Sequence, residues 1–280
     1  MLCMAVFSMS FQSIFAKMYE QKSGQKRLSQ YAFVFLQLIA SFAFFVVNLK
    51  QKFEMQWEVV PYAIFFAVFY FGAIFCNLRA IETGSMSLTN LVMSYSLIIP
   101  TMYGILFRKE HLSTWGVIGI ILLAISLYFI GGGREKVILS KKWLLFISIA
   151  FLSNGFCTVT QKMYQIRSGG KYKSEFMILS LGMAIIAFAC ALVGKEKRLP
   201  IPRIRNGGHF AICAGLCGGM LNLFVMLLAN TPSYIVYPTI SGGSMVLTFI
   251  IARMFFHEKL STAQNIGCII GVTAVVLLNL

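Results

Sequence analysis

Asn154, Thr158 and Gln161 stand at i, i+4 and i+7 of one apolar stretch, which in a helix lines up two amides and a hydroxyl along a single face. The chemistry open to such a stripe is uncharged hydrogen bonding, without transfer of a proton. Weaker versions recur along the chain: Ser8 and Gln12 in the first apolar run, Asn77 in the third, Asn90, Ser94 and Thr101 in the fourth, Asn222 in the eighth, and Tyr237, Ser241, Ser244 and Thr248 in the ninth. A neutral polar side chain surrounded by hydrocarbon is costly unless it bonds a neighbouring helix or faces a cavity. Stripes on several helices favour a shared cavity. Its expected polar lining is Gln12, Asn77, Asn90, Ser94, Tyr95, Asn154, Thr158, Gln161, Asn222, Tyr237, Ser241 and Ser244, with Tyr70, Phe224 and Met226 among its walls.

Charged chemistry is scarce. Asp is missing from the whole chain, and the deep apolar positions carry no Glu or His. There is no zinc-protease His-Glu-x-x-His, no nucleophile elbow and no phosphate-cradling loop. Catalysis by this chain is therefore not expected, and neither is a cofactor or a metal. The seven cysteines lie in apolar runs, and Cys213 and Cys217 have no His or carboxylate beside them to complete a metal site. Lys17 and Lys162 end matched apolar runs, and Arg79 stands near the end of another. Snorkelling to headgroups accounts for such cations, while the matching of Lys17 with Lys162 leaves room for a pair of gates. Glu110 and Glu258 sit beside His111 and Lys259 and read as solvated pairs.

The elements that would carry these residues are apolar throughout. The chain has 280 residues, 58% of them hydrophobic and 12% charged, too few ionisable side chains to cover a water-soluble body. Mean hydropathy is +0.79. The 24 basic residues, giving a net charge of +15, are scattered among the connections, which suits anionic lipid headgroups and argues against nucleic acid. Ten segments are long enough to span a bilayer: 1–18, 30–49, 59–80, 86–107, 114–132, 143–162, 174–194, 208–229, 233–256 and 262–280. The first reads as a retained spanning helix rather than a signal peptide, because it runs into a basic loop and further apolar runs follow. Turn residues mark the connections at Gly131, Gly132 and Gly133, at Gly169 and Gly170, and at Pro200 and Pro202.

The chain repeats itself. FRKEHLSTWGVIG at 107–119 and FFHEKLSTAQNIG at 255–267 share Phe, Glu, Leu, Ser, Thr, Ile and Gly at an offset of 148, and Lys17-Met18-Tyr19 recurs as Lys162-Met163-Tyr164 at an offset of 145. One duplicated unit explains both echoes. The expected division is 1–133 and 143–280, each of five spans, joined by a loop at 134–142. An odd number of spans per unit makes the second copy enter from the opposite side, so the fold class is all-α integral membrane with two inverted five-helix repeats. The odd-numbered connections hold 16 Lys and Arg and the even ones 8, a bias that places both termini outside.

Small residues mark close helix packing: Ala211, Gly215 and Gly219, then Gly267 and Gly271. Gly242-Gly243 reads as a packing notch or as a local helix break. Pro100 and Pro238 are expected to kink their helices, and Ser261 with Gln264 has the form of a capping box.

The duplicated five-span unit, the hinge reading Glu110-x-Leu112-Ser113 and Glu258-x-Leu260-Ser261 with a glycine in the next span, and ten spans in this length together resemble the drug/metabolite transporter superfamily, more narrowly the EamA-type permeases. The resemblance implies spans 1, 3, 4, 6, 8 and 9 around a central path, spans 2, 5, 7 and 10 outside, and cytoplasmic termini, against the charge count. The small multidrug members of the superfamily carry a membrane carboxylate in their first helix; none stands in 1–18 here. The expected function is a cell-membrane transporter of a small organic solute, such as an amino acid, another metabolite or a drug-like compound, by alternating access. It would contact the lipid bilayer and could pair as a homo-dimer. The alternatives are a non-transporting membrane partner that uses exposed glycine seams, or a flippase of a lipid-linked metabolite.

Overall fold

The structure is a computed structural model that describes residues 1–23, 27–49, 53, 57–84, 86–131, 140–196, 207–256 and 261–278. Gly132 and Gly133, the 134–139 part of the connecting loop, Pro200, Pro202, Glu258 and Lys259 lie outside the described residues. Among those described there is no strand, and the helices are α1 (Leu2–Ser23), α2 (Arg27–Val47), α3 (Val59–Thr83), α4 (Met86–Tyr95), α5 (Ile98–Arg108), α6 (Thr114–Gly131), α7 (Lys141–Arg167), α8 (Lys173–Glu196), α9 (Gly208–Leu227), α10 (Ser233–Phe256) and α11 (Thr262–Leu278). Eight helices are long and apolar enough to cross a membrane, with α4 and α5 taken together as one; α11 and 114–126 of α6 are shorter apolar helices.

Two departures from the expected spans have physical causes. The fourth is broken at Ser96 and Leu97. Pro100 has no N–H to give the Ser96 carbonyl, and the Ile99 amide takes that oxygen instead at 3.2 Å. Pro238 leaves α10 unbroken. The sixth span does not end at Lys162: α7 continues to Arg167, and α1 likewise continues past Lys17 to Ser23. Hydropathy marks where apolar composition stops, whereas a helix continues for as long as its backbone bonds do.

Caps fix the starts. The Ser140 hydroxyl accepts from the amides of Lys142 and Trp143, at 3.2 and 3.4 Å. Ser261 and Gln264 form the reciprocal capping box, at 2.9 and 3.2 Å, and in the earlier copy of the hinge Ser113 accepts from the Gly116 amide at 3.0 Å.

Close packing follows the small residues. At Gly215, α9 lies so near α2 that an added Cβ would stand 2.5 Å from the Gln37 carbonyl oxygen, and the Ser41 hydroxyl reaches the Gly215 carbonyl at 2.6 Å. Gly271 of α11 packs on Ser126 of α6, whose hydroxyl donates to the Gly267 carbonyl at 2.7 Å. Gly242 and Gly243 are notches for Leu123 and Val6 within a continuous helix. The glycine seams are thus covered within the chain, which corrects the expectation that they lie exposed. Outward faces remain apolar, as at Ile121, Ile186, Ile269 and Val276, where lipid rather than water suits them.

Among the helix pairs that pack are α3 with α7 and α8, α2 with α8, α9 with α1 and α2, α10 with α1, α5 and α11, and α6 with α11. An aromatic core between α2, α3, α7 and α8 holds Tyr164 stacked on Phe176 at 4.7 Å, with Phe66 edge-on to Phe176 at 5.4 Å.

Candidate functional site

A cavity of about 380 Å³ lies among these helices near their mid-lengths. From α1 it takes Met9, Gln12, Ser13 and Ala16; from α7 it takes Asn154, Cys157, Thr158 and Gln161. Phe66 and Tyr70 come from α3, Gly218 and Asn222 from α9, and Tyr237 from α10. Ser94 of α4 and Leu97 of the break complete that side. Every helix periodicity involved is the one expected of a face: 154, 158 and 161 on α7, 9, 12, 13 and 16 on α1.

The expected residues divide in two. Gln12, Ser94, Asn154, Thr158, Gln161, Asn222 and Tyr237 come together around this space. Asn77, Asn90, Tyr95, Ser241 and Ser244 do not line it. Asn90 is exposed, and Ser244 donates to the Ser241 carbonyl at 2.9 Å. Tyr95 donates to the Ala124 carbonyl at 2.8 Å and, with Ser241, borders a separate pocket of about 60 Å³. Asn77 is on α3 with its amide oxygen buried. Of the expected walls, Tyr70 lines the cavity, while Phe224 and Met226 pack in the core clusters beside it.

Sequence reasoning missed Ser13, Phe33 and Gln37. The last two come from α2, a span the family resemblance puts outside. The only signal for Gln37 was its place one face-repeat beyond Gln30 in an otherwise apolar run.

The hydrogen bonds of the lining settle which way its amides point. Ser96 donates to the Met93 carbonyl at 2.6 Å, so its oxygen must accept from Asn154 Nδ2, also at 2.6 Å. Gln161 Nε2 donates to the Asn222 carbonyl at 3.2 Å and to its Oδ1 at 3.4 Å, and Asn222 Nδ2 donates to the Gly218 carbonyl at 2.9 Å. Each of these three amide nitrogens thus has a protein acceptor, while the Gln12 and Gln37 amides of the same lining carry further N–H groups. Asn154 Oδ1 and Gln161 Oε1 accept no hydrogen bond among the described residues.

An ion-pair cluster stands just beyond Tyr237. Lys109 takes a left-handed φ of 52° and turns the chain off α5, so that Glu110 reaches back to the start of α10. There Glu110 Oε2 accepts from the Ser233 amide at 2.5 Å, a favoured place for a carboxylate at a helix N-terminus. Lys162 Nζ donates to Glu110 Oε1 at 3.2 Å, the Thr231 carbonyl at 3.0 Å and Ser233 Oγ at 2.5 Å, which uses all three of its hydrogens. It lies 5.9 Å from the centre of the Tyr237 ring. Lys162 is 3% exposed, so it does not snorkel, and Glu110 is not a solvated pair with His111. Gly104 is needed here, because a side chain on it would collide with Ser233 and Glu110. Lys17 stands one residue beyond Ala16 on α1, outside the lining. Among the described residues no cluster of His, Cys, Asp or Glu could hold a metal.

Residues 1–132 match the sequence model of the EamA-like transporter family. EamA-like proteins are transporters within the drug/metabolite transporter superfamily, and the family together with the apolar helices makes this chain a multi-pass membrane protein. No curated protein matches it in sequence. Its fold is shared with 28 chains of known structure. One of them, a crystal structure of a protein, superimposes with a TM-score of 0.78 at 13% identity, covering 99% of this chain and 94% of that one. Against this EamA-like background, the cavity and the Lys162 cluster are polar features that draw on both halves of the chain.

Proposed function

We propose that the chain is a cell-membrane carrier that moves a small organic solute by alternating access, built as ten spans in two inverted five-span repeats. One observation carries the proposal: a polar cavity shared by α1, α2, α3 and α4 of the first half and α7, α9 and α10 of the second, with an ion pair between the halves beyond one end. The packing supports the duplication, since exchanging the halves turns the pair α3 with α7 into α9 with α1, and α3 with α8 into α9 with α2. The sequence echoes support it too. Lys162, Glu110 and Ser233 serve as the gate at their end, and Lys17 occupies the matched position on α1.

Flux into liposomes containing the purified chain tests this reading. Saturable uptake of at least one small organic solute is expected, and Lys162→Met is expected to change its rate. A broad panel of metabolites in which nothing moves faster than into protein-free liposomes would sink the proposal.

A further inference from the structure

We infer that the cavity takes a planar, one-ring solute that donates N–H hydrogen bonds and carries no anionic group. The inference rests on the carrier reading and names the solute class of that same cavity.

Three observations converge on it. First, no lining residue bears a charge, and Lys162, the cation nearest on α7, is neutralised by Glu110 at 3.2 Å. An anion entering this space would leave water without a counter-charge to meet it. Second, two amide oxygens of the α7 stripe are without a protein donor among the described residues, beside the Gln12 and Gln37 amides of the same lining. Asn154 Nδ2, Gln161 Nε2 and Asn222 Nδ2 are held by Ser96, Asn222 and Gly218, and the partners are carbonyls or an already-donating hydroxyl, so the amides cannot turn round. Asn154 Oδ1 and Gln161 Oε1 remain for a guest, one on each side of Thr158, whose own hydroxyl donates to the Asn154 carbonyl at 3.0 Å. A solute with N–H groups satisfies them. Third, Phe33, Phe66, Tyr70 and Tyr237 supply aromatic rings to the lining, and about 380 Å³ is near the small end of the roughly 300–1,000 Å³ usual for small-molecule sites. An aromatic lining also tolerates a positive charge, so a protonated amine fits the class.

The test uses the full chain, purified in detergent, and a library of one-ring solutes grouped by single changes: benzamide, N,N-dimethylbenzamide, benzoate and benzylamine; nicotinamide and nicotinate. Thermal stabilisation and flux in liposomes are read together. The primary amide or amine of a group is expected to bind about tenfold more tightly than the dimethylated amide or the acid. That preference should vanish in Asn154→Leu and Gln161→Leu. Equal or tighter binding of the acids or of the dimethylated amides overturns the solute class while leaving transport intact. Stabilisation that survives both substitutions places the guest elsewhere and also overturns it. If nothing in this library or in a wider metabolite panel is moved or bound, the carrier reading fails, and the solute class with it.

Discussion

At the scale of single residues the described structure is most exacting around Lys162. Its ammonium is buried, fully bonded and paired, so removing either partner strands a charge away from water. Lys162→Met or Glu110→Leu alone should lower unfolding stability by about 3 kcal/mol, and the double variant by less than the sum. Melting of the four proteins in one detergent measures this; additive losses would mean that the pair is not coupled. Gln165 is the opposite case. It lies one turn beyond Gln161 on the same face of α7 and is 1% exposed, yet neither of its amide atoms finds a partner among the described residues. A buried amide left unbonded costs about 1–3 kcal/mol, so Gln165→Leu should raise stability by about 1 kcal/mol or more in the same melts. The sequence shows Lys162 and Gln165 as polar residues near an apolar boundary. It does not show that they are buried, and for Lys162 the burial depends on Glu110 and Ser233 arriving from 52 and 71 residues away.

At the scale of elements, two glycines on α9 separate packing from function. Gly215 faces the α2 backbone, which cannot give way, so Gly215→Ala should cost about 1–3 kcal/mol through forced separation of α9 from α2. Gly218, three residues on, borders the cavity, and an added Cβ there meets only the Gln12 amide and the Ser41 hydroxyl at an ordinary 3.4 Å. Gly218→Ala should therefore fold normally, with melting close to the parent, but slow solute flux by narrowing the space beside Gln12. Most helices were legible from length and apolarity alone, and the capping box at Ser261 from local chemistry. The break in the fourth span was only half legible: Pro100 announces a disturbance, but its place at Ser96 and Leu97 follows from which carbonyl the proline leaves free. For the cavity, helical phase identified the α7 stripe. It could not separate residues that face the cavity from one that bonds a neighbouring helix, as Tyr95 does, or its own helix backbone, as Ser244 does.

At the scale of the whole molecule, the inverted arrangement predicts that Ser23 and Gly169, at the ends of α1 and α7, lie on opposite sides of the membrane. Ser23→Cys and Gly169→Cys, each in a background without the seven native cysteines, should label with a membrane-impermeant maleimide from opposite faces. Labelling of both from one face would exclude the inversion. The interrupted fourth span has a consequence at this scale. Its earlier piece, α4, rests on α3, α6 and α7, while α5, which leads into Glu110, leans on α7 and α10. Both touch α7, and α5 is tied to the start of α10 through Glu110 and Ser233. A rearrangement at the Glu110 end would therefore act on α5 and the start of α10 before it reached Ser94 at the cavity wall.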